Sequence, residues 1–92
     1  MYLEIVSPEA TLFSGEVTSV TVPGINGEFQ MLQGHAPVVS LLQKGDVKVE
    51  GNISIDEAYE NEFTTDATGK TILAITSGTI EMKDNKVIVL AD

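Results

Sequence analysis

PGINGEFQMLQGHAP, Pro23 to Pro37, holds three of the chain's eight glycines, two of its three prolines and its single histidine. Its punctuation constrains everything on either side. Pro23 sets its own φ near −65°, and Gly24 supplies the positive φ needed at the third position of a type II turn, which predicts that the preceding strand stops at Val22. Asn26-Gly27 repeats the turn signal, so Pro23 to Gly27 is expected as a compact connection, followed by a short extended segment from Glu28 to Gln33. Gly34 permits a sharp bend, while Pro37 pushes Ala36 toward extended geometry and removes an N–H from any ladder. On this rigid framework Glu28 and His35 are expected to face outward and Phe29 to face the core.

Outward from this loop the pattern is one of strands. Leu3 and Ile5 alternate with Glu4 until Pro8-Glu9, and Val20 and Val22 alternate with Ser19 and Thr21. Val38 to Leu42 is a short apolar run between Pro37 and Lys44-Gly45, assigned to strand. Val47 and Val49 alternate with Asp46, Lys48 and Glu50, and Ile53 and Ile55 continue the alternation past a bend at Gly51-Asn52. Thr71 to Thr76, Thr79 to Met82 and Lys86 to Leu90 are β-branched segments separated by Ser77-Gly78 and Asp84-Asn85. The fold class is all-β: a two-sheet sandwich or flattened barrel of about eight to ten short strands without a substantial helix, forming a single domain over residues 1–92.

Asp46, Glu50, Asp56, Glu57, Glu60, Glu62 and Asp66 share their stretch with one lysine, Lys48, so it must lie largely in water. Residues 52–70 are expected to form an enlarged, solvent-facing hairpin that tolerates shortening. The whole chain carries five lysines, no arginine and fourteen carboxylates, a formal net charge of −9. That sign disfavours phosphate backbones and anionic lipid as direct ligands. Cysteine is absent, which removes disulfide and thiolate chemistry. The start, MYLEIVSP, lacks a signal-peptide pattern, and no apolar run has the length of a membrane span, so no direct membrane insertion is expected.

Chemical motifs are scarce. Asp66-Ala67-Thr68-Gly69-Lys70-Thr71 resembles the end of a phosphate-binding loop, but Thr64 stands where the pattern needs glycine and the following TILAIT has strand character rather than helix. Gly24-Ile25-Asn26-Gly27 has the form of an RNA-clamping loop without the helices or basic residues such a loop uses. His35 lacks a visible Ser or Asp partner and is expected as a structural hydrogen-bonder, with an interface contact as the second role. Asp56, Glu57, Glu60 and Glu62 lack the glycine-bearing turn of a calcium loop. No cofactor, metal or catalytic residue is expected. One feature does point to a partner: Ile72 to Ile75 and Val87 to Leu90 are apolar on both faces of their strands, whereas a thin sandwich buries one face of each sheet.

SPEATLFSGEV (Ser7 to Val17), VPGINGEFQMLQGHAP (Val22 to Pro37), the Lys44-Gly45-Asp46-Val47 corner and DNKVIVLAD (Asp84 to Asp92), in this order, resemble the epsilon subunits of bacterial F-type ATP synthases, delta in mitochondria. The similarity is to their amino-terminal β-sandwich. Gln30 and Gln33 depart from the Gly and Pro common at those positions in the family. The resemblance implies a non-catalytic component of the central stalk, packed on the gamma subunit and resting on polar loops of the c-ring, with ATP chemistry in other chains. By position it implies interface roles for Asn26 and Glu28 and for Gly34, His35, Ala36 and Pro37. It also implies a monomer in isolation, peripheral at the cytoplasmic face of a bacterial membrane. Since the sequence ends just after VLAD, the carboxy-terminal helical hairpin that binds ATP in some members is not expected. The competing readings are a stand-alone ligand- or carbohydrate-binding β-sandwich, poorly served by five aromatic residues, and a small β-barrel enzyme.

Overall fold

Ten strands account for the period-two segments in a computed structural model that describes residues 1–92. They are β1 (Tyr2–Val6), β2 (Thr11–Glu16), β3 (Ser19–Gly24), β4 (Gly27–Leu32), β5 (Val38–Leu42), β6 (Gly45–Glu50), β7 (Phe63–Thr65), β8 (Thr71–Ile75), β9 (Gly78–Lys83) and β10 (Lys86–Ala91). Their order makes two half-sheets, β2-β1-β10-β9-β5 and β4-β3-β6-β8-β7. Every pairing is antiparallel except β1 with β10, which places the first and last strands side by side. A parallel pair needs a long crossover, and here the rest of the domain supplies it.

Alternation along each strand directs one set of side chains inward. The first half contributes Leu3, Ile5, Ile80, Met82, Val87 and Val89, and the second contributes Val20, Val22, Met31, Val47, Val49 and Leu73. Burying each such aliphatic side chain stabilises the fold by about 1.5 to 3 kcal/mol. These contributions make the register costly to slip, since a one-residue shift would turn the whole set to water.

The two halves are hydrogen-bonded to each other through a single register pair, Gly24 with Leu42. This corner corrects the reading of Pro23-Gly24 as a turn. β3 continues through both residues, with Pro23 opposite Glu28 and Gly24 opposite Gly27, so the turn is Ile25-Asn26 alone. The positive φ falls on Gly27, at +123°, and not on Gly24. The Pro23 carbonyl accepts the backbone N–H of Gln43 at 2.9 Å, and the Gly24 carbonyl accepts Gln43 Nε2 at 2.9 Å. Gly24 is required for its lack of bulk: a Cβ there would sit 2.8 Å from both the Gly27 oxygen and Phe29 Cε1. Gly45 is confined in the same way, 2.7 Å from Pro23 Cβ.

Residues 52–70 depart from a plain extended hairpin. Glu57–Glu62 form a 3₁₀ segment, started by Asp56, whose Oδ1 accepts the Ala58 N–H at 2.9 Å. An Asp followed by helix-compatible residues is a start signal that outweighs the charge pattern locally. Ile53, Ile55, Tyr59 and Phe63 are half-buried against the core, while Glu57, Glu60 and Glu62 remain exposed. Ser54, Asp56 and Tyr59 lie beside Thr11, Leu12 and Phe13 of β2, so this segment covers a flank of the sandwich. Beyond β7 the Asp66–Lys70 turn is closed by one carboxylate: Asp66 Oδ1 accepts the Thr68 N–H at 2.9 Å, the Thr68 hydroxyl at 2.7 Å and the Lys70 N–H at 3.0 Å. The donors that a phosphate would use are thus taken by an internal anion, and β8 follows where a phosphate loop needs a helix.

Two outcomes follow from these contacts. Gly24→Ala should destabilise the domain by about 1 to 3 kcal/mol, as overpacking does; urea unfolding with an unchanged midpoint would contradict the corner's role. The hydrogen bond from the Thr68 hydroxyl, reinforced by the Lys70 N–H, holds the Asp66 carboxyl below its ordinary value of 3.8. A depressed folded-state pKa contributes stability that is present above the unfolded value and is lost as pH falls through the folded one. A carboxyl-carbon NMR titration should therefore place the Asp66 midpoint below 3.8, and a midpoint at or above that value would refute the turn geometry.

Candidate docking surface

The pleat of β4 sorts the signature residues. Phe29 and Met31 stand opposite Val22 and Val20 and point inward, leaving Glu28, Gln30 and Leu32 exposed on the other face. Met31 is fully buried, whereas Phe29 is half-buried at the rim, its ring over Gly24. The expectation that Phe29 faces the core holds in direction, with less burial than a central core residue. Asn26 lies in the exposed turn before β4, and Gly34, His35, Ala36 and Pro37 lie beyond its far end, all exposed. Six residues of strand, roughly 20 Å, separate the two groups. The candidate residues therefore share one flank and mark its two ends; they do not converge on a pocket.

Glu28 is outward but not free. Its Oε2 lies 3.1 Å from Lys48 Nζ on β6, with the two side chains 52% and 33% exposed. At such exposure the pair is worth less than about 1 kcal/mol, and it can exchange for a partner's cation at little cost. At the other end Gly34 adopts φ +80° and donates its N–H to Asn85 Oδ1 at 3.1 Å. His35 donates its backbone N–H to the Leu32 carbonyl at 3.0 Å. Its ring Nδ1 is 2.7 Å from the Ala36 carbonyl. A histidine engaged with its neighbour's carbonyl and open to solvent acts as a local hydrogen-bonder.

The outer face of the first half-sheet carries several exposed apolar side chains. Leu41, Thr79, Leu90 and Val6 follow one another across β5, β9, β10 and β1, and the next row is Val39, Glu81, Ile88 and Glu4. Val39 is 76% exposed, Leu41 59%, Ile25 53% and Leu90 49%. Ile25 joins the edge of this patch through its N–H, which reaches the Leu41 carbonyl at 3.3 Å. The two-faced character expected of β10 is present, Val87 and Val89 facing inward and Ile88 and Leu90 outward. In β8, by contrast, the outward Ile72 is itself buried at 9% exposure. Val39 and Leu41 were missed as surface residues, although the doublets Val38-Val39 and Leu41-Leu42 carry the same signal.

Elsewhere the molecule offers little for chemistry. No three acidic or histidine side chains approach closely enough to hold a metal. A cleft of about 330 Å³ runs between Ser7–Ala10, Tyr59 and the ends of β8 and β10. Leu12, Leu73, Ile75 and Ala91 give it an apolar lining, with Glu9, Glu62 and Asp92 also among the residues around it.

Residues 1–92 match the family described as ATP synthase, Delta/Epsilon chain, beta-sandwich domain. The chain is 38% identical over 90 residues to the ATP synthase epsilon chain of Chlorobaculum tepidum, the match covering 98% of this chain and 86% of that one. It is 39% identical over 92 residues to the epsilon chain of Campylobacter fetus, of which it spans 60%. Among solved structures, the fold matches a chain of the Tetrahymena thermophila mitochondrial ATP synthase central stalk/c-ring structure with a TM-score of 0.74 at 12% identity, over 99% of this chain and 62% of that one. It also matches a chain of the Euglena gracilis mitochondrial ATP synthase with a TM-score of 0.73 at 22% identity, over 97% of this chain and 48% of that one. At those identities the structural likeness is one of fold, but with a family match along its full length and epsilon chains well over a third identical, the chain belongs to the delta/epsilon family of ATP synthase as its β-sandwich domain.

Proposed function

We propose that this domain, a non-catalytic stalk subunit of a rotary ATP synthase, couples the c-ring to the gamma subunit by docking two different surfaces. The apolar outer face around Ile25, Val39, Leu41 and Leu90 seats on gamma, and the β4 flank from Asn26 and Glu28 to Gly34-His35-Ala36-Pro37 rests on polar loops of the c-ring. The observation that carries this reading is the exposed apolar face itself. A small monomer gains nothing from large aliphatic side chains held in water, and each one fully covered by a partner is worth about 1.5 to 3 kcal/mol. The sheet beneath is hydrogen-bonded across β5, β9, β10 and β1, so load applied to the patch passes into a rigid element. An acidic, exchangeable Glu28 suits a basic ring surface, and the Lys48 beside it moderates that attraction. ATP chemistry belongs to other chains of the complex. No helix is long and apolar enough to cross a membrane; from its family we place the domain peripherally, at the cytoplasmic face of a bacterial membrane.

Leu41→Glu combined with Leu90→Glu should leave the unfolding midpoint nearly unchanged, because exposed substitutions shift stability by about 0.5 kcal/mol or less. It should abolish co-purification with gamma. Glu28→Lys should keep gamma binding, weaken retention on the c-ring, and recover in part at high salt, since it sets like charges against each other beside Lys48. If the double variant binds gamma as the parent does, the apolar face is not the gamma surface.

A further inference from the structure

The β9–β10 hairpin turns on Asp84 and Asn85, with φ of 53° and 62°. Two consecutive left-handed residues are what a two-residue type I′ turn demands, and Asp and Asn are among the side chains that tolerate them. Asn85 has two further contacts. Its backbone carbonyl accepts the Tyr2 N–H at 3.1 Å, tying the turn to the start of β1. Its side-chain Oδ1 accepts the Gly34 N–H at 3.1 Å, across 51 residues of sequence. Gly34 is the residue whose positive φ reverses the chain after β4, and the other hydrogen bonds of residues 33–37 stay within the loop, from His35 to Leu32 and from the His35 ring to Ala36.

We propose that Asn85 is a positioning residue for docking: its carboxamide fixes the Gly34 peptide, and through it the His35-Ala36-Pro37 loop, against the frame of the first half-sheet. This rests on the reading of that loop as part of the c-ring surface. Ordering the loop before contact reduces the conformational entropy that binding must otherwise remove. The sequence offers no direct sign of the role, because Asn85 is fully accounted for locally as a turn residue.

The test uses two substitutions with opposite expectations. Asn85→Gly retains the left-handed turn but has no acceptor; Asn85→Asp retains both the turn preference and an oxygen in place of Oδ1. NMR order parameters and the amide temperature coefficient at Gly34 report the hold itself, and retention on a purified c-ring bearing gamma reports docking. Asn85→Gly should loosen Gly34 and His35 and weaken retention about five- to tenfold, as loss of one hydrogen bond implies, while leaving binding to gamma alone and the fold's melting midpoint close to the parent's. Asn85→Asp should restore both readouts. The proposal is overturned if Asn85→Gly leaves Gly34 as ordered as before, or if the loop loosens with no change in docking. Should the parent domain itself fail to engage the ring while Gly34 still loosens in Asn85→Gly, it is the docking reading that has failed, and Asn85 is a structural clamp only.

Discussion

The fold depends on one narrow corner. Two half-sheets must turn toward each other to enclose a core, yet only Gly24 and Leu42 pair between β3 and β5. Gln43 secures the bend with its backbone N–H on the Pro23 carbonyl and its side-chain amide on the Gly24 carbonyl. Each buried carbonyl left unpartnered there would cost about 1 to 3 kcal/mol. Absent Cβ atoms at Gly24 and Gly45 let Phe29 and Pro23 approach. With this corner in place, the alternation of β3 aligns Val20 and Val22 with Met31 and Phe29, and the inward faces of both halves meet.

Strand alternation was legible because it follows from a local rule that burial on one face reinforces. Leu3-Ile5, Val20-Val22, Val47-Val49 and Val87-Val89 all point inward as their spacing requires. Pro23-Gly24 was misread for a physical reason: its local chemistry is that of a turn, and what keeps it in a strand is Gln43, 19 residues further on, with its side chain on the Gly24 carbonyl. Likewise, the acidic stretch at 57–62 correctly announced exposure but hid a 3₁₀ segment anchored by Tyr59. Of the candidate docking surface, His35 and the Gly34 bend were visible in GHAP. The Lys48 partner of Glu28 and the outward Val39 and Leu41 depended on strand register, which single-sequence patterns leave open.

The resulting molecule has surfaces of different character. An apolar sheet face lies on the first half, and a polar flank along β4 runs from the Ile25-Asn26 turn to Pro37. Glu57, Glu60 and Glu62 keep another side hydrated. This division suits a mechanical adapter. In the proposed coupling, hydrophobic contact on one side would provide hold and exchangeable charge on another an adjustable contact, with the sheet from β2 to β7 joining them.

The absence of cysteine makes the central claim directly measurable. Single cysteines placed by Leu41→Cys, Glu28→Cys, His35→Cys and Glu60→Cys can each be labelled with a maleimide in the free domain, after binding gamma, and after assembly with the c-ring. Two-surface coupling predicts that all four react when free, that Leu41→Cys is shielded by gamma alone, that Glu28→Cys and His35→Cys are shielded only once the ring is present, and that Glu60→Cys reacts throughout. Shielding of Glu60→Cys with Leu41→Cys still open in the full assembly would place the partners on the opposite side of the sandwich and contradict the account.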